Sequence, residues 1–144
     1  MKRKTFKVAV HLFLISSENI LLLKRYNTGY EDGNYSVIAG HLDGGESVYE
    51  AMIREAQEEA GINIEMKNIK IVQVMHRKKI DEERIDYFFE SKKWTGKEIN
   101  REQNKCSELK WCPMNKLPKN TIEYINFAIE NYQLKRKFTI FGWD

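Results

Sequence analysis

Runs of apolar residues divide the chain into short segments that are typical of β-strands. Polar or glycine-containing turns separate these runs, and the first of them is the polar segment Ser16–Asn19. The later runs are dense in β-branched and aromatic residues, which favour pleated, half-buried strands. The pattern predicts six strands: Thr5–Ile15, Ile20–Arg25, Tyr35–Ala39, Ile69–Lys78, Ile85–Trp94 and Glu108–Cys112.

Two stretches have the periodicity of amphipathic helices. The first begins with the capping box Ser47–Glu50, which predicts a helix starting near Val48, and Gly61 suits its left-handed end. The second is Thr121–Leu134, where isoleucines recur on one face. We expect the apolar tail that follows to dock on the fold. Because no repeat or linker interrupts residues 1–144, the sequence predicts a single domain.

Three glutamates of the first predicted helix lie close together. Glu58 and Glu59 follow Glu55 by three and four residues, so all three share one face of the helix beside its apolar residues. Repulsion between such charges costs a free helix roughly 0.2–0.5 kcal/mol per pair. A hard divalent cation such as Mg²⁺ would remove this conflict. A solvated acidic helix face is the alternative explanation.

The segment from Gly40 to Ile62 resembles the signature of the Nudix hydrolases, G-x5-E-x7-R-E-U-x-E-E-x-G-U, where U is a bulky aliphatic residue. All of its fixed charged and glycine positions match: Gly40, Glu46, Arg54, Glu55, Glu58, Glu59 and Gly61. Ala56 departs from the usual bulky aliphatic residue, which concerns packing rather than chemistry. The segment 39–41, Ala-Gly-His, stands where family members often have Pro-Gly-Gly.

This resemblance implies an α/β/α sandwich around a central mixed β-sheet, and a pyrophosphohydrolase that needs Mg²⁺, with Mn²⁺ as a substitute. Arg54 would pair with Glu46 and orient the metal-binding glutamates, and Glu58 is counted among the catalytic residues. By family analogy the backbone carbonyl of Gly40 also binds the metal, which would require an irregular loop at that point. The metal ligands implied by the family are Gly40, Glu55, Glu58 and Glu59.

The general base stays open at this stage, because some family members use a helix glutamate and others a carboxylate from a later loop. Glu102, in the polar loop Asn100–Lys105, is our candidate of the second kind. Glu98 and Glu108 compete with it.

Three further residues are candidates for binding the substrate. Arg25, at the end of the second predicted strand, resembles the basic residue that family members direct at phosphates. His41 lies beside the expected phosphates and either donates to them or faces solvent. Tyr30, with Tyr26 and Tyr35 as alternatives, is a candidate for stacking on a base.

The expected substrate is a nucleoside diphosphate linked to another group, X. We favour a nucleoside triphosphate, oxidised or otherwise non-standard, which would yield a monophosphate and pyrophosphate. The sequence lacks the proline, tyrosine and SQPWPxS features that accompany ADP-ribose, NADH or dinucleotide hydrolysis shortly after the signature. An NDP-sugar or dinucleotide pyrophosphatase is the alternative. A nucleotide-sensing module without activity and a prenyl diphosphate isomerase are alternatives of other classes.

Composition adds few constraints. The net charge of +3 and the pI near 8.8 suit an anionic substrate, but charges of both signs are interspersed, so we expect no nucleic acid partner. No apolar run is long enough to span a bilayer, and Cys106 and Cys112 fit no metal or redox motif. We therefore expect a cytoplasmic monomer or homodimer without membrane association.

Overall fold

The computed structural model describes all residues, Met1–Asp144, and contains eight strands and two α-helices. A short 3₁₀ turn covers Met66–Asn68. The helices are α1, Val48–Ala60, and α2, Glu123–Gln133. The strands are β1 Lys7–Ser16, β2 Asn19–Arg25, β3 Tyr35–Ser36, β4 Ile38–His41, β5 Lys70–Lys78, β6 Glu83–Ser91, β7 Cys106–Pro113 and β8 Phe138–Phe141.

The strands form one mixed sheet in the order β3-β2-β1-β6-β5-β8, with β4 paired to β1 and β7 paired to β2. The pairs β1–β6 and β5–β8 are parallel, and the remaining pairs are antiparallel. Strand β1 pairs with β4 along its middle and with β2 at its C-terminal end. Strands β2 and β4 therefore lie on the same side of β1 but diverge from each other, which leaves one edge of β4 open.

Each helix covers one face of the sheet. Helix α1 buries Ala51, Met52, Ala56 and Ala60 in one hydrophobic core, and α2 buries Ile125, Ala128 and Ile129 in the other. Side chains of β1 alternate between the two cores, as period-two strand geometry requires. The predicted α/β/α sandwich on a mixed sheet is confirmed. Neither helix is long and apolar enough to cross a membrane.

The predicted strand Tyr35–Ala39 was wrong as a single element. It divides at Val37 into β3, which pairs with β2, and β4, which pairs with β1. Periodicity cannot reveal such a change of neighbour, because residues 35–38 are all buried and show no alternation. The C-terminal tail docks as expected, and it does so as β8 in parallel with β5.

Candidate active site

A cleft of about 550 Å³ lies along the open edge of β4. Helix α1 supplies acidic side chains to one wall of this cleft, and β2 with its following loop supplies basic and aromatic ones. The α2-side face of the sheet forms its floor. The cleft therefore brings together residues from both ends of the chain.

Local sequence explains why α1 begins and ends where the site needs it. The Ser47 side chain accepts from the Glu50 N–H, and the Glu50 carboxylate accepts from the Ser47 N–H, which completes the predicted capping box. Gly61 ends the helix in the left-handed conformation, with φ 67°. Burial of the alanine and methionine face then directs the glutamates towards the cleft.

Glu55, Glu58 and Glu59 all line the cleft, as the signature implies. The Ala39 N–H donates to Glu59 Oε1 over 3.3 Å. A Cβ placed on Gly40 would lie 1.5 Å from Glu55 Oε2, so the Glu55 carboxylate occupies the space that any other residue at position 40 would fill. The glutamates are thus packed directly against β4.

Burial disfavours the charged forms of these glutamates. It raises the pKa of Glu55 to about 7, an effect that Arg54 opposes and Glu58 reinforces. Burial, followed by repulsion from Glu55, raises the pKa of Glu59 well above its ordinary value. The nearby cation, Arg54, lies 3.6 Å from Glu55 and 3.2 Å from Glu58. Arg54 alone therefore does not offset three ionised glutamates, and a further cation at the wall would favour their charged forms.

This donor set fits a hard divalent cation. No group of three or more acidic, histidine or cysteine side chains converges on one point, so the glutamates form an open wall rather than a closed cage. An open set of carboxylates suits Mg²⁺, which keeps several waters and also binds substrate phosphate oxygens.

The backbone beside the wall differs from the expectation for Gly40. Gly40 lies in the regular strand β4 opposite Val10, so the expected irregular loop was wrong. Leu42 N–H donates to Val8 O, and alternation along the ladder then places Gly40 in a hydrogen-bonded pair with β1. Ala39 points its backbone away from β1 and towards Glu59, as its N–H contact shows. Metal binding by the Gly40 carbonyl stays a prediction. Because the Ala39 backbone faces away from β1, the strand register favours the Ala39 carbonyl as the backbone ligand of a metal.

Arg54 joins the loop before α1 to the helix. Its Nη2 donates to Glu46 Oε1 over 2.7 Å, and its Nη1 donates to Glu58 Oε2 over 3.2 Å. The Arg54 hydrogen bond also lowers the pKa of Glu46. Gly44 and Gly45, with φ 98° and 81°, provide the tight return that brings Glu46 to Arg54. The contact has the geometry expected of an orienting pair.

Among the three candidate bases, Glu102 lines the cleft. Its loop is held by a hydrogen bond from the Glu102 N–H to Asn100 Oδ1. Glu98 accepts from the Trp111 indole N–H, and Glu108 accepts from the Tyr35 hydroxyl. These contacts place both competitors in structural roles outside the cleft, so Glu102 stays our prediction for the base.

Arg25 and Tyr30 both line the cleft and also contact each other. Arg25 Nε donates to the Tyr30 carbonyl over 2.7 Å, and Arg25 Nη2 donates to Thr28 Oγ1 over 3.0 Å. Arg25 therefore orders the loop that carries Tyr30. Tyr35 is buried, and Tyr26 does not line the cleft. Tyr30 therefore stays the candidate for stacking on a base. His41 lines the cleft and its Nε2 contacts Arg84.

Sequence reasoning missed the floor of the cleft. We use the term cleft floor for the lining residues His11, Arg77, Arg84 and Tyr124. A signal existed for Arg77, which occupies an inward-facing position of the predicted strand Ile69–Lys78, where charged residues are rarely buried without a partner. Arg84 lies outside the predicted strands, because the sixth observed strand begins at Glu83 rather than at Ile85. Lys24 and Lys105, which also line the cleft, carried no comparable signal.

Comparison with known proteins agrees with this geometry. The NUDIX domain family model matches residues 5–133. Nudix hydrolase 2 of Arabidopsis thaliana is 26% identical over 137 residues, which cover 92% of this chain and 46% of that protein. ADP compounds hydrolase NudE of Escherichia coli K12 is 39% identical over 59 residues, 41% of this chain and 32% of that protein. The chain spans about half the length of the first relative and about a third of the second.

Solved structures share the fold. The MutT NUDIX hydrolase from Burkholderia pseudomallei has a TM-score of 0.81 at 23% identity, covering 88% of this chain and 98% of that one. The chain belongs to the Nudix hydrolase family, whose enzymes act on pyrophosphate bonds. At this level of identity the structural likeness establishes the fold and leaves the substrate open.

Proposed function

We propose that the chain, as one domain over residues 1–144, is a metal-dependent hydrolase of a nucleoside diphosphate linked to X. The observation that carries this proposal is the open wall of Glu55, Glu58 and Glu59, which line one cleft with Arg25 and Glu102. Phosphoanhydride hydrolysis needs neutralised phosphates, an activated water and fixed geometry. The cleft has residues suited to each requirement.

The glutamate wall would hold Mg²⁺, with Mn²⁺ as a substitute. When bound, the ion supplies charge neutralisation for the diphosphate and lowers the pKa of a water molecule. Arg54 keeps Glu58 and Glu55 in place through its contacts with them, and Glu46 in turn fixes Arg54. The partial removal of these carboxylates from water strengthens their interaction with a cation.

Glu102 would take a proton from the attacking water, and Arg25 would contact phosphate oxygens; both residues line the cleft. Attack on one phosphorus breaks the P–O–P bond and yields a nucleoside monophosphate and phosphate-X. Lys24 and Lys105 add positive charge along the same stretch of the cleft.

Among substrates we favour a nucleoside triphosphate, including oxidised or other non-standard ones. An ADP-linked compound is the second candidate, because one matching relative is named an ADP compounds hydrolase. That match covers 41% of this chain. The signature binds metal and phosphates, which all these substrates share, so it gives no preference between them.

A substrate panel tests the proposal. Nucleoside triphosphates, deoxynucleoside triphosphates, NDP-sugars and dinucleotides are assayed with Mg²⁺ or Mn²⁺, and the products are identified. Glu58→Gln should remove most turnover, whereas Glu130→Gln, an exposed glutamate on α2, should leave it unchanged. Binding of nucleotides without hydrolysis of any of them would favour a sensing module instead. Equal turnover by Glu58→Gln and the parent would contradict the metal-wall assignment.

A further inference from the structure

The cleft floor lies on the opposite face of the sheet from the glutamate wall. Strand alternation turns Val10 towards α1, and it turns His11 towards α2. Tyr124 of α2 belongs to the same floor, and its hydroxyl lies 3.1 Å from His11 Nε2. A substrate held by metal at the wall would therefore extend its remote group around the edge of β4 and onto this floor.

Two arginines of the cleft floor lie side by side, and each has one carboxylate partner. Arg77 and Arg84 are direct partners across β5 and β6, an arrangement that is unfavourable for like charges. Asp86 binds Arg77, with Nε–Oδ2 at 2.7 Å and Nη2–Oδ1 at 3.3 Å. Arg77 also stacks on Tyr124, its guanidinium carbon 3.6 Å from the ring centroid. The Nε of Arg77 is thus satisfied by a carboxylate, whereas the buried Nε of Arg84 has no hydrogen-bond partner.

Arg84 has donors without acceptors. A guanidinium carries five N–H groups. Nη1 contacts Glu82 Oε1 at 3.3 Å, and Nη2 contacts His41 Nε2. Nε is buried and has no hydrogen-bond partner, although the side chain lines the cleft and is 12% exposed. Glu82 and His41 fix the guanidinium from two sides, and each terminal nitrogen keeps a second N–H without a hydrogen-bond partner.

We propose that Arg84 is a specificity-determining residue that donates to an oxygen acceptor on the group of the substrate remote from the metal. This proposal rests on the proposed function. The acceptor is a carbonyl oxygen of the base or an oxygen of a second phosphate, and the guanidinium fork suits both. Tyr124 and Tyr30 flank the same space and favour a ring beside that oxygen.

Binding of product-like nucleotides without metal tests this role separately from hydrolysis. Calorimetry in EDTA compares IMP with AMP, which differ at the base carbonyl, and adenosine 3′,5′-bisphosphate with AMP, which differ in a second phosphate. The parent should prefer the oxygen-bearing ligand of one pair by about tenfold or more, as a charged hydrogen bond allows. Arg84→Gln should abolish that preference, and Arg136→Gln, an exposed arginine outside the cleft, should preserve it.

His41→Ala is the second variant, for the case that Arg84→Gln does not fold. His41 is exposed, so its replacement should leave the fold intact. It should reduce the same preference by loosening Arg84. The proposal is overturned if the parent prefers neither ligand, or if Arg84→Gln weakens all ligands by one common factor. Selective, Arg84-dependent binding by a protein that hydrolyses nothing in the panel would instead overturn the proposed function and leave this inference standing.

Discussion

The two sides of the cleft treat buried charge in opposite ways. On the α2 side, Arg77 and Asp86 are 4% and 0% exposed, and they bind each other. On the α1 side, burial raises the pKa of Glu55 and Glu59, and Arg54 is the cation in contact with Glu55. A buried charge is tolerated when it is paired, and a group of like charges is not. The floor pair is therefore completed within the chain, and the glutamate wall is arranged for a cation from outside.

This difference separates groups that maintain the fold from groups that serve chemistry. Removing one partner of a satisfied pair leaves an uncompensated charge and lowers stability. Removing one member of an unsatisfied group relieves repulsion and lowers activity instead. The signs of the two effects on stability should therefore be opposite, and variants on each side can measure them.

Glu59→Gln should have the largest effect on turnover. The amide keeps the shape and still accepts from the Ala39 N–H, but it loses a charge from the proposed metal wall. We expect kcat/KM at saturating Mg²⁺ to fall by roughly 10³-fold, as loss of several kcal/mol of charge stabilisation implies. In EDTA the melting temperature should stay equal or rise, because the amide avoids both the burial of a carboxylate and its repulsion by Glu55.

Mg²⁺ provides the control for this variant. A cation that binds the native wall should raise the melting temperature of the parent by mass action, and it should raise that of Glu59→Gln far less. An equal rise in both proteins would show that the cation binds elsewhere. Lower stability of Glu59→Gln in EDTA would contradict the interpretation of the wall as strained.

Asp86→Asn should lower stability on the other side of the cleft. The change leaves Arg77 buried without its carboxylate, which costs about 3 kcal/mol or more. For a chain of this size we expect the melting temperature to fall by about 6–12 °C. Glu82→Gln is the matched control, because Glu82 forms partly exposed ion pairs worth about 0–1 kcal/mol. Similar melting temperatures for the two variants would show that the buried pair contributes no more to stability than the exposed pairs do.

The sequence predicted the glutamate wall and missed the floor for a physical reason. The wall comes from one continuous segment, and helical spacing alone places Glu55, Glu58 and Glu59 on one face. The capping box and Gly61 fixed the ends of that helix correctly. The floor combines residues of β1, β5, β6 and α2, so it depends on strand order, which periodicity does not supply.

Two local predictions show the same limit. Glu102 was the preferred candidate for the base, but the sequence did not exclude Glu98 and Glu108. Their contacts with Trp111 and Tyr35, which only tertiary structure reveals, separate them from Glu102. Gly40 was expected in an irregular loop because the resemblance concerned its carbonyl. The structure gives another reason for the glycine, namely the space taken by Glu55.

His11 should make stability depend on pH through the floor. Burial lowers its pKa from 6.5 to about 4, with Asp86 opposing and Arg77 and Arg84 reinforcing the shift. Between these values the unfolded chain binds a proton that the folded chain does not, so stability is lost as pH falls from 6.5 towards 4. The linkage amounts to about 3 kcal/mol.

Urea unfolding in EDTA at pH 7.5, 6 and 5 measures this loss. His11→Gln cannot gain the charge and can still hydrogen-bond to Tyr124, so its stability should decline less over the same interval. All other titrating groups are common to both proteins and cancel in the difference. If the free energy of unfolding depended on pH equally in the parent and in His11→Gln, His11 would be protonated in the folded protein as readily as in the unfolded one.

Gly40→Ala should act on the wall by displacement alone. The new methyl would overlap Glu55 Oε2, at 1.5 Å, and the flexible carboxylate would move away from β4. Backbone strain is not involved, because Gly40 lies in a regular strand. We expect kcat/KM to fall by about 10²-fold, as misplacement of a catalytic group by about 1 Å allows. The metal-free melting temperature should change little, since Glu55 moves towards water.

A double-mutant cycle determines whether displacement of Glu55 is the cause. Glu55→Ala removes the overlapping carboxylate, so adding Gly40→Ala to that background should lower kcat/KM no further. Residues in contact are expected to give such non-additive effects, whereas independent sites give additive ones. Full additivity would mean that Gly40 acts through the backbone of β4, for example on the adjacent Ala39 carbonyl. In that case the close packing of Glu55 on Gly40 would be incidental to turnover.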